Sequence, residues 1–218
     1  MTHIYFALIG DVIASRTLPA GERARLQRHL RDAIPAFNRR WRTSLAARFA
    51  ITLGDEWQCL LTSVGPVLEI AGTIRATLAE VDWVIACGRG PVTTPLAKGV
   101  TAPEVDGPCF HEARAALQTA KRSRRLFAVG GFGPAENALT GFASYDAALH
   151  WSWTPRQRLT AKLLRRGGPA VAAQQLRIGR SAVSHLAGRM AWPLVAAGDS
   201  IFHAMLTAAA SPTTATTR

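Results

Sequence analysis

Two aspartates follow apolar segments at points where strands are expected to end. Asp11 comes after the apolar run 4–9 and a glycine, and Asp55 follows Gly54 between two strand-like segments. If the first strand lies beside that hairpin, both carboxylates project from one edge of a sheet. Paired carboxylates there suit Mg²⁺ or Mn²⁺, which prefer oxygen ligands and leave positions free for phosphate oxygens. Gly-Asp pairs are also ordinary turn residues, so a purely structural role is the alternative.

The elements that position these aspartates are predicted from hydrophobic periodicity. Short apolar or alternating runs predict strands at residues 4–9, 48–53, 57–61, 81–87 and 126–129. Apolar residues at three- and four-residue steps predict helices at residues 19–47, 64–78, 108–120 and 135–150. Pro35 is expected to kink or split the first helix. This order predicts an α+β fold with a mixed sheet and flanking helices.

The third of these helices has a recognisable start. Asp106 precedes Gly107 and Pro108, so its carboxylate is expected to cap the free amides of the first turn, where proline is tolerated. Contact with a base or ribose is the alternative role for Asp106. Of the nearby residues, His111 is expected at the surface or at the rim of a site.

Positive charge is concentrated in the last third of the chain. The 218 residues have a net charge of +12, and residues 151–218 contain nine Lys or Arg but one acidic residue, Asp199. Such an excess predicts contact with a polyanion. A compositional bias of the source explains the preference for Arg over Lys, but it does not explain the uneven distribution.

Cysteine usage and hydropathy indicate the cellular setting. Cys59, Cys87 and Cys109 are odd in number and lack the CxxC pattern, which predicts reduced core residues and excludes a disulfide framework. Residues 1–6 lack a basic leader, and no apolar run approaches the roughly 20 residues that span a bilayer. We therefore expect a cytoplasmic protein without a membrane partner.

A helix-turn-helix is predicted near the C-terminus. Helices are expected at residues 155–166, 170–176 and 180–190, and a core is expected from Ala173, Leu176, Ile178, Val183 and Leu186. Lys162 and Arg165 are expected on the outer face of the first of these helices. Arg177 stands where a turn glycine is usual. A left-handed conformation costs an arginine about 1 kcal/mol, so we expect the turn to be reshaped.

Polar or basic residues are expected to face outward from the last helix and its turn. They are Arg177, Arg180, Ser181, Ser184, His185 and Arg189. Such side chains donate hydrogen bonds to phosphates and base edges, which predicts binding of double-stranded DNA. A helical bundle used for dimerisation is the alternative. We expect an α/β domain over residues 1–150, a helix-turn-helix domain over 151–210 and a disordered tail over 211–218.

Three segments carry a resemblance to a known family. Residues 7–16, 49–58 and 106–114 resemble the SatD family of bacterial proteins. The arrangement is also similar, more distantly, to class III nucleotidyl cyclase domains, in which two aspartates at these places hold two metal ions over a nucleoside triphosphate. This resemblance implies a nucleotidyl-cyclase or ferredoxin-like sheet, and it implies a nucleotide near Asp106, His111 and Arg114. SatD-like proteins commonly end in a helix-turn-helix module.

The chain departs from the cyclase pattern where the chemistry is decided. His111 stands near the position of the cyclase Asn, and Ala115 stands where the Arg that steadies the transition state is expected. Arg114 falls one residue early. The first hypothesis is therefore a homodimeric transcription regulator that takes a nucleotide or metal as its signal. A metal-dependent nucleotidyl cyclase or transferase is the second, and a structural adaptor with a degenerate site is the third.

Overall fold

A five-stranded mixed sheet forms the centre of the structure, a computed structural model that describes residues 3–211. The strands are β1 (Tyr5–Val12), β2 (Leu45–Ile51), β3 (Trp57–Leu61), β4 (Trp83–Gly90) and β5 (Phe127–Gly130). They lie in the order β2-β3-β1-β4-β5, and all neighbours are antiparallel except β4 and β5. Helices α1 (Ala20–Arg40) and α2 (Val67–Thr77) connect β1 to β2 and β3 to β4. The first four strands thus have the split βαβ arrangement of ferredoxin-like folds, which confirms the predicted α+β class.

Helices cover both faces of this sheet. Phe6 and Leu8 of β1 face the core shared with α1, α2 and α4 (Glu136–Ser152). Ala7 and Ile9, the alternate residues of β1, face the core shared with α3 (Pro108–Arg122). Because both faces are buried, β1 is apolar along nearly its whole length instead of alternating.

Element boundaries differ from the sequence predictions in three places. Strand β1 extends to Val12, so Asp11 lies within the strand rather than after it. Strand β2 begins at Leu45, where a register shift against β3 interrupts the alternation from which strands are predicted. Helix α1 ends at Arg40 and continues through Pro35. Pro35 lies on the exposed face of α1, where water can bond the carbonyl that loses its partner.

The C-terminal part of the chain is helical. Helix α5 (Pro155–Leu176) is interrupted by non-helical backbone at Gly167 and Gly168, and α6 is Arg180–Arg189. The interruption produces the two predicted helical segments. Between α5 and α6, Arg177 itself adopts the left-handed conformation that a turn glycine usually takes, with φ 52° and ψ 46°, so the expected reshaping of the turn is wrong.

A last helix, α7 (Trp192–Ala210), was not predicted from the sequence. By length and composition alone it could cross a membrane. In the structure it packs on the sheet unit: Phe202 stacks on Phe142 and meets Phe127 edge-on, and Leu206 is fully buried in the same core. The division at residue 150 stays a prediction, as does cytoplasmic localisation. Of the predicted disordered tail, residues 212–218 lie outside the described residues.

Candidate functional site

Asp11 and Asp55 line the same cavity, which has a volume of about 510 Å³. In the antiparallel pairing of β1 with β3, Gly10 lies opposite Trp57. This register brings the turn that contains Asp55 alongside the end of β1. The predicted placement of the two carboxylates at one edge of the sheet is therefore what the structure has.

Basic side chains form the other wall of this cavity. They are Arg16, Lys121, Arg124 and Arg125. Three of them come from the end of α3 and the residues that follow it, and none of these was predicted as a site residue. The run of basic residues at 121–125 was the signal that could have identified them. Four cations thus face the carboxylates of Asp11, Asp55 and Glu56, which makes the cavity suited to an anionic ligand.

Asp11 is engaged on both oxygens. Its Oδ1 accepts a hydrogen bond of 2.9 Å from the backbone N–H of Val12, and its Oδ2 is ion-paired with Lys121. Burial lowers the pKa of Lys121. Lys121 therefore occupies the carboxylate oxygen that a metal ion at Asp11 would use.

Asp55 is differently placed. Its Oδ2 is buried and has no hydrogen-bond partner among the described residues, and the same holds for Nε of Arg125, which also lines the cavity. A buried polar atom without a partner is unfavourable. The cavity thus contains one free acceptor and one free donor, and these are the groups that a ligand with both a cation and anionic oxygens would satisfy.

Glu56 faces the adjacent helix. Its carboxylate accepts hydrogen bonds from Thr52 Oγ1 at 2.7 Å and Gln58 Nε2 at 3.1 Å, and both oxygens bind Arg114 at 3.2 Å. Although burial alone would raise the pKa of Glu56, the hydrogen bonds from Thr52, Arg114 and Gln58 lower it. Glu56 is therefore ionised and held in place.

The fit to a metal ion depends on what else is bound. Among residues 3–211, no group of three or more His, Cys, Asp or Glu side chains is placed to hold a metal. Mg²⁺ in proteins is often held by one or two carboxylates together with substrate phosphates. Asp11 and Asp55 thus fit Mg²⁺ or Mn²⁺ as part of a complex with a phosphate-bearing molecule, rather than as a closed protein site.

The three residues assigned to a nucleotide by resemblance line a neighbouring cavity. Asp106, His111 and Arg114 surround a space of about 270 Å³. The predicted capping role of Asp106 is wrong, because the N-cap residue of α3 is Gly107, and α3 has no side-chain capping bond. The carboxylate of Asp106 instead lies 2.9 Å from His111 Nε2. Both side chains are exposed, which agrees with the predicted surface position of His111.

Candidate DNA-contacting residues occupy one side of α6 and the turn before it. All six are exposed: Arg177, Arg180, Ser181, Ser184, His185 and Arg189. On the opposite side of α6, Val183 and Leu186 are buried. Val183 lies in one apolar cluster with Ala173, Leu176 and Ile178, so four of the five predicted core residues come together.

The prediction that Lys162 and Arg165 lie on an outer face is wrong. Lys162 is buried, and its ammonium bonds Asp82. Arg165 is mostly buried and bonds Asp146 and Asp199. The face of α5 that carries them packs against the sheet unit, so these two cations hold the helices in place and are not free for a polyanion.

The cysteines are core residues, as predicted. Cys59, Cys87 and Cys109 are buried and free. Burial raises the pKa of all three thiols, that of Cys109 to about 11. They remain protonated near neutral pH, which makes them poor metal ligands and poor nucleophiles.

Comparisons with known proteins identify a family for the larger part of the chain. A family model described as the SatD family matches residues 5–124, more than half of the 218 residues. The match covers β1 to α3 and therefore includes Asp11, Asp55 and Lys121. A comparison with curated proteins gave no match.

Proposed function

We propose that this chain, which belongs to the SatD family, is a DNA-binding regulator in which α6 contacts the major groove. The observation that carries the proposal is the two-sided character of α6. Val183 and Leu186 anchor one side, while the exposed side chains of the other side are polar or basic apart from the small Ala182. A recognition helix needs this division, since it must be held rigidly and still reach base edges and phosphates.

Unpaired arginines support the proposal. Five exposed arginines between residues 151 and 211 form no ion pair with any described residue: Arg156, Arg166, Arg177, Arg180 and Arg189. Asp199, the acidic residue of this region, is bound by Arg165. No local carboxylate therefore competes with phosphate for these cations.

A homodimer completes this proposal. Two copies of α6 related by a two-fold axis would contact half-sites about 34 Å apart on a palindromic duplex. The sheet unit would supply the dimer contact and take a nucleotide or a divalent metal as its signal.

The test selects duplexes from a random library with the full-length protein and then measures affinity across salt concentrations. We expect the double variant Arg180→Ala/Arg189→Ala to bind the selected duplex at least about ten-fold more weakly, with a salt slope smaller by about 2. The control is Arg28→Ala/Arg31→Ala, which removes the same charge from exposed positions of α1. Equal losses in both variants, or binding that is insensitive to salt, would contradict DNA contact through α6.

A second function is favoured by a different observation. Asp55 and Arg125 both line the 510 Å³ cavity, and Asp55 Oδ2 and Arg125 Nε are buried without a partner among the described residues. A nucleoside triphosphate with Mg²⁺ or Mn²⁺ would satisfy both, with Asp11 and Asp55 toward the metal and the basic wall toward the phosphates. The metal would neutralise phosphate charge and favour formation of an attacking oxyanion. Within the chain, Lys121 must release Asp11 before that carboxylate binds a cation.

Calorimetry with Mn²⁺ and ATP or GTP tests this second function. We expect binding in the wild type and loss of Mn²⁺-dependent binding in Asp55→Asn, with Glu22→Gln, an exposed carboxylate of α1, as the matched control. Turnover of the nucleotide in the same samples would distinguish an enzyme from a sensor. No binding at millimolar nucleotide would exclude both roles for this cavity.

A further inference from the structure

A larger cleft, of about 600 Å³, lies where α2, α4 and β5 face α5 and α7. Its apolar wall includes Phe142, Phe202 and Trp192. The volume lies within the range of pockets that take small organic ligands, roughly 300–1,000 Å³. This cleft is separate from the cavity of Asp11 and Asp55 and shares no lining residue with it.

One basic side chain in the cleft wall is incompletely paired. Arg75 donates from Nη2 to the carbonyl of Leu126, but its Nε is buried and has no partner among the described residues. Burial lowers the pKa of Arg75 to about 10, although the charge of Asp146 acts to raise it. The cleft therefore contains a desolvated cation with a free N–H donor.

The carboxylates of the cleft are engaged elsewhere. Arg165 binds both oxygens of Asp199 and one oxygen of Asp146, each at 2.8 Å. Glu69 is paired with Arg40 at 2.7 Å. The charges of Asp146 and Asp199 act on Arg75, but none of the three carboxylates forms a hydrogen bond with it. A hydrogen-bonding anion from outside the chain is therefore the partner that this guanidinium lacks.

Open space lies on the α2 side of the cleft. A Cβ atom built on Gly72 would have no atom within 4 Å outside its own helical backbone. The absence of a side chain at this position therefore leaves room next to Arg75, three residues further along α2.

We propose that this cleft binds a small amphipathic monoanion, such as an aromatic carboxylate. The carboxylate accepts a hydrogen bond from Arg75, and the apolar group lies against the aromatic wall. Such a ligand contacts the sheet unit and the C-terminal helices at once, so its binding strengthens the packing between them. The proposal does not depend on DNA binding or on a metal at Asp11.

The test uses the full-length protein with 1-naphthylacetate and its neutral analogue 1-naphthaleneacetamide, followed by calorimetry and thermal unfolding. We expect the carboxylate to bind the wild type at least about ten-fold more tightly than the amide, since it forms a charge-assisted hydrogen bond with Arg75. It should also raise the melting temperature. Equal affinities would overturn the assignment of an anion, and no binding of either probe at millimolar concentration would overturn the site.

Two glycine variants locate the binding. Gly72→Leu places a side chain in the cleft, whereas Gly141→Leu places one on the exposed face of α4, where the built Cβ also meets no atom. Both changes raise helix propensity. We expect Gly72→Leu to lose binding and Gly141→Leu to retain it, and full binding by both variants would show that the probe lies elsewhere.

A third variant examines the cation itself. In Arg75→Gln, we expect the ratio of the affinity for the carboxylate to the affinity for the amide to fall close to one. A preserved preference would overturn the role of Arg75. This change is destabilising, because it removes a buried charge and also weakens the bond to Leu126. If Arg75→Gln does not fold, the variants Gly72→Leu and Gly141→Leu decide where the probe binds.

Discussion

Lys162 of α5 places its ammonium nitrogen 2.9 Å from Asp82 Oδ1 and 2.8 Å from the carbonyl oxygen of Val81. The carbonyl of Ala79 lies 3.2 Å from the same nitrogen. An ammonium has three N–H donors, and all three have acceptors here. Asp82 and both carbonyls belong to the connection between α2 and β4, so this single side chain fastens the C-terminal helices to the sheet unit.

Replacing Lys162 should be strongly destabilising. In Lys162→Met, the mostly buried carboxylate of Asp82 and two carbonyls lose their donor, and we expect the free energy of unfolding to fall by about 3 kcal/mol. Urea denaturation measures this change. Lys98→Met, at an exposed position without an ion pair among the described residues, should change stability by less than about 0.5 kcal/mol. Similar small effects in both variants would contradict the fastening role of Lys162.

Acid should weaken the fold through His150. Burial lowers the pKa of His150, although Asp82 Oδ1 lies 3.2 Å from its Nε2 and acts to raise it. The unfolded chain takes up a proton near the ordinary histidine pKa of about 6.5, while the folded chain does not. The free energy of unfolding is therefore not reduced by His150 above that pH. Below it, the free energy of unfolding falls by up to about 1.4 kcal/mol for each pH unit.

Asp82 does not contribute to the pH dependence of stability in the range where histidine titrates. Its pKa is held well below its usual range because hydrogen bonds and charges from His150 and Lys162 outweigh the effect of burial. Its contribution is lost only below the unfolded value of about 3.9. Denaturation at pH 7.5, 6.5 and 5.5 should therefore show a shallower pH dependence in His150→Gln than in the wild type, and identical curves would assign the effect to another group.

Arg165 should show strong coupling to its two carboxylates. Its guanidinium holds Asp146 of α4 and Asp199 of α7 in place. We expect Arg165→Met to lower the free energy of unfolding by about 3 kcal/mol, because two partly buried carboxylates are left together. In an Asp199→Asn background the same change should have a smaller effect. A double-mutant cycle measures this difference, and additive effects would argue against a shared network.

Gly88 allows α3 to lie close to the sheet. A Cβ there would be 2.0 Å from the carbonyl oxygen of Cys109 and 2.3 Å from the backbone nitrogen of Ala113. Neither atom can move without moving the helix, so Gly88→Ala should destabilise the protein by about 3 kcal/mol or more. Gly141→Ala, in an open helical position, should stabilise it by up to about 1 kcal/mol. Thermal unfolding of the two variants compares these effects, and a tolerated Gly88→Ala would mean that α3 can shift.

Lys121 should compete with a divalent metal for Asp11. If the cavity binds a metal–nucleotide complex, Lys121→Met frees the Asp11 carboxylate, and we expect Mn²⁺ to bind about ten-fold more tightly in the presence of nucleotide. Arg122→Met is the control, because Arg122 is adjacent in α3 but does not line the cavity. Titration followed by electron paramagnetic resonance measures free Mn²⁺. Unchanged or weaker binding in Lys121→Met would indicate that Asp11 is not a ligand.

Local sequence patterns predicted that Asp11 and Asp55 lie together at one edge of the sheet. The apolar run before Asp11 and the hairpin around Asp55 are short-range features, and the pairing of β1 with β3 follows from them. The basic wall was missed because Lys121 lies 110 positions after Asp11 in the sequence. Periodicity defines α3 but not the register at which its last turn meets the end of β1, so this contact depends on tertiary packing.

The C-terminal helices show the same limit. The core of α5 and α6 was predictable, since Ala173, Leu176 and Val183 follow a spacing set by two crossing helices. The positions of Lys162 and Arg165 were not, because a basic side chain on a helix is usually solvated. Their acceptors, Asp82 and Asp146, lie in other elements and have no sequence signature. Helix α7 was missed although its buried residues Val195, Phe202 and Leu206 follow helical spacing, because exposed apolar residues such as Leu194 and Ile201 obscure that pattern.

Phe202 packs between Phe127 and Phe142 in the core of the sheet unit. Phe202 follows Phe127 by 75 positions and Phe142 by 60. During synthesis, the sheet and its first four helices are therefore complete in sequence before the side chain that closes their core has been made. Since a growing chain folds in units from its N-terminus, the apolar surface around Phe127 and Phe142 stays open until α7 is made.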